Sequence, residues 1–239
     1  MARDEIDIVE ELVQSIPTTT DIASISEDAG VFTVTVCNTL WLNDCSKVVY
    51  NGVEYKVTSV AEDYKTFTMT GAGDAVTDFN NGIRTLQLPE LSFVYGTYRE
   101  ANKEIVNKRR GDCITFPLVF MLEEPLRSTK YGFKDVKHMD IEVKMFLLQK
   151  NDKKWSKEDH RHKATKGMFM LSDMIHEQIN KDSSKYLYLD RIDNVRLPEF
   201  SVYTTNQGKE VKLLDTNVSV VGLSFTLEVK KHSGCCTKK

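Results

Sequence analysis

Residues Val218–Lys230, with the sequence VSVVGLSFTLEVK, carry the pattern that decides the fold class. From Leu223 onward every second residue is apolar, and the residues between are polar or charged. A period of two is typical of a strand that buries one face and exposes the other, as strands of antiparallel sheets do. This stretch is therefore predicted to be a half-buried antiparallel strand.

The stretches before it extend this strand into a larger unit. Val136–Gln149 alternates in the same way, and Cys113–Leu122 is almost wholly apolar, as expected of a central strand buried on both faces. Pro117 indicates an edge or a bulge there, because proline lacks the backbone donor of a sheet ladder. Capping residues and apolar spacing predict helices over Thr97–Lys108 and Lys166–Lys181. The unit therefore has the order helix, strand, strand, helix, strand.

The first half of the chain shows a helix followed by short strands. Asp4–Ile16 has an amphipathic pattern, and the proline that follows ends the helix. Residues Val31–Thr70 change to a period of two, with strands on both sides of Asn51-Gly52, a strong hairpin signal because both turn residues tolerate positive φ. Gly71–Gly82 is interpreted as a polar linker and Tyr186–Leu197 as irregular.

These elements predict an α+β fold, a mainly antiparallel sheet with packed helices plus a small β-hairpin-rich module. Residues 1–27 hold the N-terminal helix and lead-in of the main domain, and residues 28–88 form the β module, interpreted as an insertion or an appendage. Residues 89–232 form the main α+β domain, and residues 233–239 a disordered tail.

Composition excludes several classes of protein. The 239 residues carry a net charge of only −3, which creates no global field toward nucleic acid or an anionic membrane. The first residues are acidic rather than basic and apolar, and the longest apolar runs fall far short of the roughly 20 residues of a membrane helix. We expect a soluble protein with no membrane partner.

The sequence shows no recognisable catalytic motif, and we expect no enzymatic activity, no cofactor and no metal. The best metal candidate is the loop with Asp159, His160 and His162 beside Glu158. Its two histidines can point to the same side of a strand, but zinc normally needs a third protein ligand, and none follows them at a standard spacing. Cys113 opens an apolar strand beside an acid, which favours a packed core cysteine over a nucleophile. Five cysteines without a pairing framework indicate a reducing compartment.

The most unusual segment is Lys150–Lys166, which has a local excess of four positive charges and contains Trp155. It is long for a connection inside a domain, so we interpret it as either a solvated loop or a loop that contacts a partner. An exposed tryptophan among cations suits a protein interface or a nucleic-acid backbone. The residues concerned are Lys150, Lys153, Lys154, Trp155, Lys157, Arg161, Lys163 and Lys166.

The second unit resembles the small neck and tail-completion (tail terminator) proteins of tailed bacteriophages. The residues that carry the resemblance are the N-terminal helix, the turn Tyr95-Gly96-Thr97 into a helix ending near Arg110, the strand after it with Phe116-Pro117-Leu118-Val119, and the strand and helix elements that follow. The strand with Phe-Pro-Leu-Val is similar to neck proteins of phages infecting Bacteroides, including the crAss-like group. The resemblance covers about residues 1–16 and 92–230, and the β module departs from the minimal fold.

This resemblance implies a structural virion protein without enzymatic activity, assembled in the host cytoplasm into a ring of six or twelve copies at the head–tail junction. Its partners would be further copies of itself, other neck, portal-complex or tail proteins, and genomic DNA through non-specific contact in the channel. The basic segment would then face a partner or the channel. The hairpin would contact a neighbouring subunit through Tyr50, Asn51, Gly52 and Val53.

Three other interpretations of the protein's function remain open from the sequence. The chain could be another phage or bacterial structural component, such as a baseplate, tail-adaptor or secretion-tube protein. It could be a small nucleic-acid-binding protein that uses Trp155 and its lysines. An enzyme would need Asp159, His160 and His162 to be completed in space by Asp190 or Asp193.

Overall fold

The computed structural model describes residues 5–44, 46–97, 117–122, 127–131, 137–152, 154–181, 186–188, 195–197, 202–204, 210–212 and 218–230. Within these ranges the protein is a mixed α+β structure made mostly of strands. The strands form a closed barrel, a larger sheet and a separate two-stranded sheet. The predicted fold class is therefore confirmed at this level.

Six strands of the first half close into an antiparallel barrel. The spatial order is β1, β2, β5, β4, β3, β6, with β6 pairing back to β1. A closed barrel has no free strand edge, so the backbone groups of every strand can pair on both sides. The strands are β1 Thr19–Asp28, β2 Val31–Val36, β3 Lys47–Tyr50, β4 Val53–Val60, β5 Thr66–Gly71 and β6 Thr85–Gln87.

The predicted hairpin joins β3 to β4 through Asn51-Gly52. Asn51 has φ 47° and Gly52 has φ 76°, the positive values that a two-residue turn of this kind requires. Strands β1 and β6, by contrast, were missed. Strand β1 is mostly exposed, and β6 has only three residues, so neither shows a clear alternation.

The second sheet has seven strands, with the central order β11, β15, β10, β8, β7. Strand β12 also pairs with β15, and β9 also pairs with β10. The pair β7–β8 is parallel, whereas the other pairs in the described part of this sheet are antiparallel. These strands are β7 Ser92–Gly96, β8 Leu118–Leu122, β9 Arg127–Tyr131, β10 Lys137–Lys150, β11 Tyr186–Tyr188, β12 Val195–Leu197 and β15 Val218–Lys230; β13 Val202–Thr204 and β14 Glu210–Lys212 form the two-stranded sheet.

The described part of the chain contains three helices. Helix α1 spans Glu5–Gln14 and α2 spans Ala75–Asn80. The third, α3, has an α-helical start at Lys157–His160, a π-helical segment at Arg161–Thr165 and a long α-helical part at Lys166–Lys181. The predicted helices over the first residues and over Lys166–Lys181 are thus confirmed.

One apolar core joins the barrel, the second sheet, α1 and α3. Barrel side chains such as Val34 and Tyr55, sheet side chains such as Met145, and helix side chains such as Val9 and Leu171 belong to it, and all five are fully buried. A second, smaller core on the sheet includes Phe120 and Leu148. The two halves of the chain therefore share one buried core. The division into residues 1–27, 28–88, 89–232 and 233–239 remains a prediction.

Two local predictions are wrong. The supposed linker Gly71–Gly82 contains α2, whose N-cap Asp74 accepts a hydrogen bond from the backbone N–H of Thr77 at 3.1 Å. A helix of six residues is too short to show an apolar period, so only the cap indicated it. The segment Tyr186–Leu197 contributes β11 and β12, three residues each.

The start of the second unit also differs from the prediction. Residues Ser92–Gly96 form β7, so Tyr95-Gly96 belongs to a strand rather than to a turn. Pro117 directly precedes β8, a central strand, and therefore costs no ladder hydrogen bond within it. Three predictions lie outside the described residues: the helix over Thr97–Lys108, of which only Thr97 is described, the core position of Cys113, and the tail at 233–239.

Candidate functional site

The basic segment is largely helical rather than a loop. Ser156 caps the start of α3: its hydroxyl accepts from the Asp159 N–H at 3.1 Å, and the Asp159 carboxylate accepts from the Ser156 N–H at 3.0 Å. This reciprocal capping box satisfies two backbone donors that the first turn would otherwise leave free. The predicted loop is therefore wrong from Lys157 onward, and only residues 151–156 connect β10 to the helix.

In the helical part of the segment, Arg161 and Lys163 are paired with nearby acids. The Lys163 ammonium lies 2.5 Å from Asp159, and Arg161 lies 3.6 Å from Glu158 and 3.9 Å from Glu62. His162 contacts Glu158 at 2.8 Å. Hydrogen bonds from Lys163 and from Ser156 lower the pKa of Asp159 to about 2. The local excess of four positive charges already counts Glu158 and Asp159, so among these pairs only the one with Glu62 brings a further negative charge.

Lys166 is buried, with 7% of its surface exposed. Its ammonium donates to the backbone carbonyls of Val60 and Ala61, both at 2.9 Å, and lies 4.9 Å from the ring of Tyr64. A buried ammonium is tolerated only where such acceptors replace water. Lys166 thus fastens α3 to the end of β4 and is not available to a partner.

Trp155 is half-buried and packs against the main core, contrary to the prediction of an exposed ring. The His160 ring meets it edge-on with centroids 5.6 Å apart, and the Lys163 ammonium lies 5.6 Å from its centroid. Trp155 therefore has a structural role at the base of α3. Its partly exposed surface, together with Lys150, Lys163 and Asp44, lines a surface cavity of about 460 Å³.

The barrel meets α3 through a loop that the sequence analysis did not single out. The Asn43 side-chain oxygen accepts from the Gly167 N–H at 2.8 Å, and the Asp44 N–H donates to the His162 carbonyl at 3.3 Å. Asp44 also accepts from the Val60 N–H at 3.1 Å, and its burial raises the pKa of its carboxyl group above the usual value. No periodicity or motif marks Asn43, because its importance arises only from the contact across the interface.

Three lysines of the segment remain without an ion pair in the part of the chain that the structure describes. They are Lys150, at the end of β10, Lys154 and Lys157, and all three are exposed. Lys153 lies outside the described residues. Among the described residues of the segment, these are the exposed lysines whose charge is not offset by an ion pair.

The hairpin residues divide into buried and exposed ones. Tyr50 is fully buried inside the barrel, and its hydroxyl donates to the Ile83 carbonyl at 2.6 Å. Val53 is partly buried against the core, and the Asn51 amide donates to the Asp78 carboxylate at 3.0 Å. Only Asn51 and Gly52 are exposed, so a contact with a neighbouring subunit through this hairpin would involve the turn alone.

The candidate metal residues have other partners. His162 contacts Glu158, and the His160 Nδ1 atom lies 3.3 Å from the Ser219 hydroxyl. Within the described ranges no three His, Cys, Asp or Glu residues are placed to hold a metal ion. Asp190 and Asp193 lie outside those ranges. The same ranges include no helix with the length and apolar character needed to cross a membrane.

The end of the second sheet carries a feature that the sequence analysis missed. Strand β7 is the last strand in the order, and no other described strand pairs with its outer edge. Tyr95 on this strand is 49% exposed and is the exposed large apolar side chain of the described residues. Its neighbour Val94 is buried, but Phe93, Val94 and Tyr95 are consecutive apolar residues, so the sequence shows no alternation that would have separated them.

Comparison of the chain with models of known protein families finds no match, and comparison with curated protein sequences finds none either.

Proposed function

We propose that this chain is a structural subunit of a ring at the head–tail junction of a tailed bacteriophage, with a fold like that of tail terminator proteins. In this role, six or twelve copies link the portal complex to the tail and leave a channel for DNA. The protein would be assembled in the host cytoplasm and reside in the neck or tail of the virion. The resemblance of its helix and strand segments to neck and tail-completion proteins supports this assignment.

The observation that carries the proposal is the outer edge of β7. No strand in the described part of the chain pairs with this edge, and an edge strand can accept a strand of another chain. Tyr95 adds an exposed aromatic side chain at the same edge, and tyrosine is among the residues that contribute most to protein interfaces. We infer that β7 is the principal contact between subunits.

The remaining exposed features have secondary roles in this proposal. The turn Asn51-Gly52 projects from the barrel and reaches a neighbouring copy. Lys150, Lys154 and Lys157 point to solvent without an ion pair in the described part of the chain, and a ring would repeat them in every subunit. Repetition would create a positive surface that faces DNA in the channel or an acidic partner.

Self-assembly is tested by mass photometry and negative-stain electron microscopy of the purified chain over a wide range of protein concentration. We expect closed rings that dissociate on dilution. Tyr95→Ser should raise the dissociation constant by about 30-fold, because truncating a central aromatic anchor costs about 2 kcal/mol. Thr33→Ser, an exposed position on the barrel, is the matched control and should assemble normally.

Two results would argue against this assignment. A chain that stays monomeric at every concentration would exclude self-assembly of the isolated protein through β7. Salt-sensitive binding of DNA by that monomer, lost on exchange of Lys150, Lys154 and Lys157 for glutamine, would instead favour the nucleic-acid-binding alternative, which these unpaired lysines support.

A further inference from the structure

A second cavity opens between the barrel and the C-terminal half of α3. Its volume is about 310 Å³, at the lower end of the roughly 300–1,000 Å³ that small-molecule sites occupy. Met174, from the helix, gives it a partly exposed apolar wall, and on the barrel side Leu88 is 7% exposed with Leu40 buried beneath it. Such a cavity has room for a short hydrocarbon chain.

One charged side chain that lines this cavity has no ion-pair partner among the described residues. Lys65, from the turn between β4 and β5, lines the cavity, is exposed, and forms no ion pair among the residues that the structure describes. Lys181 and Glu177 on the helix wall lie 3.9 Å apart and offset each other. The net charge of the lining is therefore positive, and it is located on the barrel side.

We propose that this cavity binds a carboxylate ligand with a short apolar body, with Lys65 as the anion-binding residue. The ammonium of Lys65 pairs with the carboxylate, and the hydrocarbon part lies against Met174 and the exposed edge of Leu88. The ligand is either a free short-chain acid or the C-terminal residue of another protein, since both carry the same group. This site lies outside the surfaces that serve assembly and does not depend on the ring.

Three probes of equal length separate charge from apolar contact. Hexanoate, hexanamide and hexylamine carry a negative charge, no charge and a positive charge on the same chain. Isothermal titration of the full chain should show hexanoate binding at least fivefold more tightly than hexanamide, and hexylamine more weakly still. Equal affinities, or tighter binding of hexylamine through Glu177, would overturn the proposal.

Variants test whether Lys65 is responsible. Lys65→Gln should reduce the affinity for hexanoate to that of hexanamide and leave hexanamide unchanged. Lys56→Gln, which removes an exposed lysine of β4 outside the cavity, should leave all three affinities as they are. Both positions are exposed, so neither exchange should alter the unfolding temperature. An equal loss in both variants would mean that Lys65 attracts the anion only through general charge, and the proposed site would be refuted.

Cys37 provides a local reporter, because its side chain is exposed and lines the same cavity. Saturating hexanoate should slow alkylation of Cys37 at least threefold, as measured by fragmentation mass spectrometry at that residue. Unchanged alkylation would place the ligand elsewhere and contradict the proposal. Acetyl-Gly-Gly-Leu with a free or an amidated C-terminus distinguishes the two sources: tighter binding of the free-acid peptide than of hexanoate identifies a protein terminus, and the reverse identifies a free acid.

Discussion

Tyr55 shows how single residues set the packing of the barrel. Its ring is fully buried and meets Phe32 edge-on, with centroids 5.7 Å apart. Its hydroxyl is buried and has no hydrogen-bond partner in the described part of the chain. A side chain at Gly73 would contact that hydroxyl and lie 3.1 Å from the ring carbon that carries it. Glycine is required here by close approach rather than by backbone conformation.

Gly73→Ala should therefore destabilise the protein by about 1–3 kcal/mol, the usual cost of overpacking a core. Tyr55→Phe should be neutral or slightly stabilising, because it removes a buried hydroxyl without a partner. The double variant should lose less than Gly73→Ala alone, since the clashing oxygen is gone. Chemical denaturation of the four proteins measures this coupling, and purely additive effects would show that the Gly73–Tyr55 contact is not the cause.

At the level of elements, the start of α3 depends on its capping box. Ser156 and Asp159 exchange hydrogen bonds there, and Lys163 pairs with Asp159 one turn later. A depressed folded-state pKa means that the ionised carboxylate is favoured by folding. The stabilisation is therefore complete above the unfolded pKa, near 3.8, and is lost as the pH falls toward about 2.

Asp159→Asn should lower the free energy of unfolding at pH 7 and should make a much smaller difference near pH 2, where about half of the wild-type carboxyl groups are protonated in the folded protein. The measurement is urea unfolding of both proteins at several pH values. Asp152→Asn, which changes an exposed acid just before the helix, is the control. A constant difference between wild type and Asp159→Asn from pH 7 to pH 2 would contradict the role of the charge.

At the scale of the whole molecule, the contact between the barrel and α3 joins the two halves of the chain. The Asn43 side-chain oxygen accepts a hydrogen bond from the Gly167 N–H. A side chain at Gly167 would come within 2.8 Å of the Leu42 carbonyl oxygen, because the helix lies directly against the loop. Lys166 adds two hydrogen bonds to the end of β4. Since the apolar core also continues across this contact, the halves should unfold together.

Lys166→Met should destabilise the whole chain by about 1–3 kcal/mol, because the carbonyls of Val60 and Ala61 lose a buried donor. Lys157→Met, at an exposed position of the same helix, should change stability by less than about 0.5 kcal/mol. Hydrogen exchange of the barrel and of the second sheet should accelerate by the same factor in Lys166→Met. Equal stability of the two variants would mean that the cost of burying the ammonium cancels its hydrogen bonds.

Much of the fold was predictable because the responsible signals are local. The turn Asn51-Gly52 identified a hairpin, and the alternation over Val218–Lys230 identified a strand with those bounds. Closure of the barrel was not predictable, because β1 and β6 are too exposed or too short to show a pattern. The candidate site was less predictable still: Lys163 and Lys166 look alike in sequence, yet one is paired on the surface and the other buried.

The sequence by itself determined the α+β class, the long strands, the first helix and the long helical part after Lys166, because side-chain period and turn chemistry act over a few residues. Only the tertiary structure decided that the first six strands close into a barrel, that Trp155 and Lys166 turn inward, and that Tyr95 lies exposed on an edge strand. The physical reason is that burial and pairing depend on which distant segments meet, and a local pattern does not contain that information.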